Sequence, residues 1–161
     1  MSVRRVAVAF GSNLGDRRRQ IVAAADQVGR LLTDFKLSSI VETAPVGVGL
    51  EHDPPFLNAA GVGMSDASPR ELLQGLLRIE TEMGRTRPHP GAPRTLDLDL
   101  ILAGDEIVSE EGLQVPHPRF RGRRFVLEPL VEIAPDLRDP VSRTTVAELL
   151  KQLEKKTGSK R

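Results

Sequence analysis

The chain reads as an α+β protein of the ferredoxin-like kind: β-α-β-β-α-β with an antiparallel sheet, extended by a C-terminal hairpin and helices. Three observations support this. Apolar alternation marks strands near residues 3–10, 36–43, 56–64 and 96–102. Two amphipathic helical stretches separate them in the order that unit requires. No repeat, linker or low-complexity block interrupts the 161 residues, which suit one domain of about 150. A single domain over 1–161 is therefore expected, with a frayed tail from about residue 155.

Val6, Val8 and Phe10 alternate along the first strand, and Gly11-Ser12-Asn13 forms a turn cluster behind it. Asp16 is placed to cap a helix that runs to about Leu32, with Ile21, Ala25, Val28 and Leu32 on one face. Residues 36–43 form one strand, and 44–55 a loop rich in Gly and Pro. Residues 56–64 form the next strand, which Gly61 and Gly63 should weaken. Ser68 and Glu71 make a capping box with Pro69 at the first helical position. Leu72, Leu73, Leu76, Ile79 and Met83 supply the apolar stripe of that helix, and Gly84 ends it. After an arginine- and proline-rich loop, strand 96–102 leads to a hairpin turn at 103–106. A short helix follows Arg124, and Thr145 with Glu148 caps a last helix bearing Val146, Leu149, Leu150 and Leu153.

Composition narrows the chemistry. The net charge of +1 argues against binding nucleic acid through bulk charge. No apolar run is long enough for a membrane span, and the N-terminus is too short for a secretory signal, so no membrane partner and a cytoplasmic location are expected. Without cysteine there is no thiol nucleophile, disulfide or cysteine-type zinc site. No P-loop or dinucleotide-binding glycine pattern is present.

The sharpest local feature is Leu96-Asp97-Leu98-Asp99-Leu100. In a strand the two aspartates share one face, roughly 7 Å apart at Cα, and the leucines take the other. Taken alone, such a pair is more often a solvated strand face. The surroundings alter that weighting. Arg85, Arg87 and Arg94 precede it without an intervening acid; Arg119, Arg121, Arg123 and Arg124 follow in an equally acid-free segment. Two hard carboxylates flanked by guanidinium groups suit Mg²⁺ and a polyphosphate. Phosphoryl transfer to a hydroxyl needs positioning and charge more than a protein nucleophile. His117, between Pro116 and Pro118, is rigidly presented beside the second arginine segment.

Six blocks, in order, resemble the 6-hydroxymethyl-7,8-dihydropterin pyrophosphokinases of folate biosynthesis. They are Gly11-Ser12-Asn13-Leu14, Glu42-Thr43-Ala44-Pro45-Val46-Gly47, Phe56-Leu57-Asn58-Ala59-Ala60, Arg78-Ile79-Glu80 leading to Gly84-Arg85, Pro93-Arg94-Thr95-Leu96-Asp97-Leu98-Asp99, and Val115-Pro116-His117-Pro118-Arg119. The resemblance implies transfer of pyrophosphate from ATP to the pterin hydroxymethyl group, releasing AMP, with two Mg²⁺ ions. It implies Asp97 and Asp99 as metal ligands and, with Arg85 and Arg94, as catalytic residues. Glu80, Arg85, Arg94, His117 and Arg123 would contact ATP. The pterin would lie between Phe56 and Phe125, bonded to Asn58 and to Thr43, Pro45 and Val46. The expected working form is a monomer whose partners are its two small substrates. The family's Arg-Trp-Gly-Pro-Arg run is replaced here by His89-Pro90-Gly91-Ala92-Pro93-Arg94, so the family's tryptophan over the nucleotide is missing. A different Mg²⁺-dependent phosphotransferase, or a ferredoxin-like RNA-binding or regulatory module, are the other readings. The strands lack the exposed aromatic pairs that an RNA-binding sheet uses.

Overall fold

Strand β1 (Arg4–Ser12) is apolar on both faces and is central in its sheet. Val6, Val8 and Phe10 point to one side, Ala7 and Ala9 to the other, and all five are buried. The structure is a computed structural model that describes residues 2–13, 16–43, 56–83 and 96–156. Around β1 are β2 (Thr33–Leu37), β3 (Val41–Thr43), β4 (Phe56–Ser65) and β5 (Asp97–Ala103), in the order β2-β4-β1-β5 with β3 also on β4. Every pairing is antiparallel, so the expected α+β architecture is the one observed.

Helices α1 (Arg17–Gly29) and α2 (Pro69–Met83) pack on the Val6-Val8-Phe10 face. Both begin as expected. The Asp16 carboxylate accepts from Arg19 N–H at 3.2 Å. In the capping box of α2, Ser68 N–H donates to Glu71 at 2.9 Å, and Glu71 N–H donates to Ser68 Oγ at 3.1 Å. The first helix ends at Gly29, short of Leu32, whose backbone has already turned to reach Val28 O by a helix-terminal bond.

Helices α3 (Arg124–Ile133) and α4 (Val146–Lys156) roof the opposite face, which the two-helix pattern leaves open. Val126, Leu127, Leu130, Val146 and Leu149 meet Ala7, Ala9, Ala60, Val62 and Ile101 there. The small alanines let the helices approach closely. The capping pair of α4 forms, with Thr145 N–H donating to Glu148 at 3.0 Å.

Two local expectations are corrected. Residues 36–43 are two strands, broken at Ser38. There the Ser38 hydroxyl accepts from Ala60 N–H at 2.9 Å, and Glu132 of α3 takes both the Ser39 N–H (3.1 Å) and hydroxyl (2.7 Å). Ser38 N–H still donates to Ala60 O at 2.8 Å, so the chain leaves the ladder after Ser38, where Glu132 takes the Ser39 amide. The turn at 103–106 does form, with Glu106 N–H bonded to Ala103 O, but it does not join paired strands. The hairpin is the next segment, β6 (Val108–Glu110) with β7 (Leu113–Val115), turning at Gly112 with φ +76°. Gly61 serves packing: a Cβ there would lie 2.4 Å from the Phe35 ring. Among the described residues no helix is long and apolar enough to cross a membrane.

Candidate active site

The apolar floor under α3 and α4 ends at the Ala60–Ala9–Asp99 row. The next row toward the strand ends is Val41–Asn58–Gly11–Asp97, running across four strands. Residues opposite each other in an antiparallel ladder share a face. Asn58, Asp97 and Asp99 therefore stand on one side of the sheet, and Leu96, Leu98 and Leu100 are buried on the other. The alternation expected from the sequence holds: Asp97 is exposed and Asp99 half-buried.

Gly11 lies between the amide and the first carboxylate. A Cβ there would touch Asn58 Oδ1 at 3.4 Å, so the glycine keeps the floor between them flat. Asn58 is only 5% exposed and donates from Nδ2 to Thr43 Oγ1 at 2.7 Å. That bond fixes the orientation of the amide, leaving its other polar positions for a ligand edge. Phe56 pairs with Thr43 in the same ladder and is half-buried. Phe10, Phe35 and Phe120 belong to the core, whereas Phe125 is 38% exposed at the start of α3. The two phenylalanines expected at a ligand are thus the two that the core does not absorb.

A cleft of about 410 Å³ opens beside Asp99, lined in part by Leu73, Leu98, Leu113, His117 and Arg119. His117 Nδ1 accepts from Arg119 N–H at 3.1 Å, so the neutral imidazole carries its proton on Nε2 as a donor. Burial pushes the His117 pKa below the usual histidine range; Asp99 draws it up, and Arg123 and Arg119 push it down again. The Arg123 guanidinium lies 5.7 Å from the Phe125 ring centroid, within cation–π range.

One contact at the site had no signal in the spacing. Glu80 of α2 accepts from Leu98 N–H at 2.6 Å, between the two aspartates. β5 is an edge strand, so this amide has no further strand to pair with. A carboxylate three turns into a helix could have been pointed at any neighbour; only the packing of α2 on β5 selects this one. The acid-free arginine segment also acquires acids in three dimensions. Arg121 pairs with Asp139, and Arg124 with Glu128 and Glu154. Arg85, Arg94, Pro45 and Val46 lie outside the described residues.

A pair of carboxylates and a fixed amide on one sheet face, beside a histidine–arginine loop, are the donor set that an α+β enzyme of phosphoryl transfer would use. Comparison specifies which. A sequence profile of the 7,8-dihydro-6-hydroxymethylpterin-pyrophosphokinase (HPPK) family matches residues 7–135, and the chain belongs to that family. The 2-amino-4-hydroxy-6-hydroxymethyldihydropteridine pyrophosphokinase of Bacillus subtilis is 43% identical over 155 residues, covering 94% of this chain and 91% of that protein. The enzyme of the same name from Pseudomonas aeruginosa is 40% identical over 145 residues, 88% of this chain and 87% of that one. In fold, the chain is similar to the wild-type HPPK-DHPS of Plasmodium falciparum, with a TM-score of 0.76 at 13% identity over 98% of this chain. It spans 46% of that longer chain. The activity is that of the family: pyrophosphoryl transfer from ATP to hydroxymethyldihydropterin in folate synthesis.

Proposed function

We propose that the transfer takes place on the sheet face that carries Asn58, Asp97 and Asp99, with the pterin over Gly11 and the ATP phosphates between the aspartates and the arginine loops. The observation that carries this reading is the shared row Asn58–Gly11–Asp97: an amide and a carboxylate at the two ends of one flat floor support a pterin at the first and a metal at the second. Asn58 and Thr43, with Pro45 and Val46, hold the pterin edge, and Phe56 and Phe125 flank its ring. Offset stacking on each ring contributes about 1 kcal/mol beyond area.

The donor chemistry at Asp97 and Asp99 fits Mg²⁺. Both are hard oxygen ligands, and among the described residues no third His, Cys, Asp or Glu joins them to close a cage. The rest of the coordination shell then falls to phosphate oxygens and water, the usual arrangement for Mg²⁺. Asp97 and Asp99 would hold two such ions, whose charge would offset that of the phosphates and polarise the β-phosphoryl group. His117, as an Nε2 donor, and Arg123 hold the nucleotide, together with Arg85 and Arg94. Glu80 supports the same site through the strand it anchors. The pterin hydroxyl oxygen attacks the β-phosphorus, the bond to the oxygen bridging the α- and β-phosphorus breaks, AMP leaves, and the hydroxyl proton is released. The arginines match the charge that grows on the bridging oxygen.

The proposed working unit is a monomer with a single domain over residues 1–161, in a cytoplasmic setting. The test is product analysis. AMP and pterin diphosphate should form only when hydroxymethyldihydropterin, ATP and Mg²⁺ are all present, and a chelator should stop the reaction. Formation of ADP, or of AMP without the pterin, would overturn the reading.

A further inference from the structure

We propose that Asp139 is a positioning residue for the nucleotide loop, acting through Arg121 to set how tightly ATP is held. The proposal rests on the reading above that His117 and Arg123 contact ATP.

Of the four arginines between Pro116 and Phe125, Arg121 and Arg124 have carboxylate partners; among the described residues Arg119 and Arg123 have none. Arg121 sits midway between those two, in a single 3-10 turn at Phe120–Gly122. That turn has little of its own to hold it: Arg123 N–H reaches Phe120 O at 3.1 Å, and Gly122 N–H reaches Arg119 O at 3.2 Å.

The hold comes from outside. Asp139 is 0% exposed, and its carboxylate accepts from Arg121 Nε and, at 3.0 Å, from Arg121 Nη2. The same carboxylate accepts from Val141 N–H at 3.0 Å and from the Ser142 hydroxyl at 2.7 Å. Asp139 is itself fixed, because its N–H donates to Thr144 O and its carbonyl accepts from Arg143 N–H. On the other side, the Arg121 guanidinium lies 4.9 Å from the ring centroid of Phe120, which is fully buried. The centre of the turn is thus clamped between a buried anion and a buried ring.

A buried ion pair is a poor source of stability compared with apolar residues of the same size. What a two-pronged pair supplies is fixed geometry. Arg119 lines the cleft beside Asp99, and Arg123 lies against Phe125; both stand two residues from the clamp. Cations held in place before the anion arrives lose less freedom on binding it.

The experiment is a calorimetric titration of D139N and R121K with ATP in excess Mg²⁺, well below each variant's melting point, beside H117A and R123A. D139N is expected to weaken ATP binding about tenfold, and R121K, which keeps the charge without the fork, severalfold. In the double variant the effects should not add, since both act through one pair. A D139N protein with a lowered melting point and ATP affinity within twofold of the parent would reduce the pair to a structural role and overturn the proposal. If D139N does not fold, R121K decides by the same criterion. Should H117A and R123A also leave ATP affinity unchanged, the nucleotide-site assignment itself fails, and the proposal with it.

Discussion

The Glu80 carboxylate receives the Leu98 amide at 2.6 Å, so the strand that carries Asp97 and Asp99 is held from its outer edge by a helix packed against the opposite face of the sheet. An N–H bonded to a carboxylate is among the stronger hydrogen bonds. Its loss in E80A should cost about 1–3 kcal/mol in urea unfolding, and E80Q, which keeps an acceptor oxygen, should recover part of that. E80A should also weaken ATP binding while leaving the carboxylates in place. Unchanged stability in E80A would show that the bond contributes nothing to β5.

Substitution of either aspartate should separate activity from folding. D97A and D99A should each lower turnover about a thousandfold or more, the loss of several kcal/mol of charge stabilisation. The leucines on the reverse face keep the strand in the core, so D97A should still fold. Near-normal turnover in either variant would refute the metal assignment.

The flat floor can be tested at Gly11. In G11V, branched methyls would meet the Asn58 amide, already at contact distance from a single Cβ. Pterin affinity should fall at least tenfold, and ATP affinity much less. Equal losses would place the pterin elsewhere.

Phe125 and Asn58 give a second view of the same pocket. F125A removes an exposed ring and should weaken pterin binding with little change in stability. N58A also leaves the Thr43 hydroxyl without its donor partner, so it should lose stability as well as pterin affinity. Titration of both variants with pterin, and thermal melts, check the contrast.

His117 predicts a pH dependence with a definite sign. Its folded pKa lies below the usual value because burial disfavours the imidazolium. The unfolded chain, titrating near about 6.5, then binds more protons in the range just below that pH. Stability from this group is therefore full above about pH 6.5 and falls as the pH drops toward the folded value. Between pH 7.5 and 6.0 the wild type should lose more stability than H117Q in urea titrations. Identical slopes would mean that His117 is not desolvated.

Much of this protein could be read from local sequence, because local rules govern what was read. Apolar spacing gave the helical faces, Ser68–Glu71 and Thr145–Glu148 gave the caps, and alternation put Asp97 and Asp99 on one face with leucines behind them. The family blocks named the reaction. Only tertiary structure decided which distant groups meet. No spacing links Glu80 to Leu98, Asn58 to Thr43, or Arg121 to Asp139, since each pair joins separate elements whose relative placement depends on how the whole sheet is covered. The break at Ser38 has the same origin: Glu132, 93 residues away, outbids the ladder for the Ser39 amide. Periodicity reports the face a side chain takes, a property of a few bonds; hydrogen-bond partners across the fold depend on the packing of every layer between them.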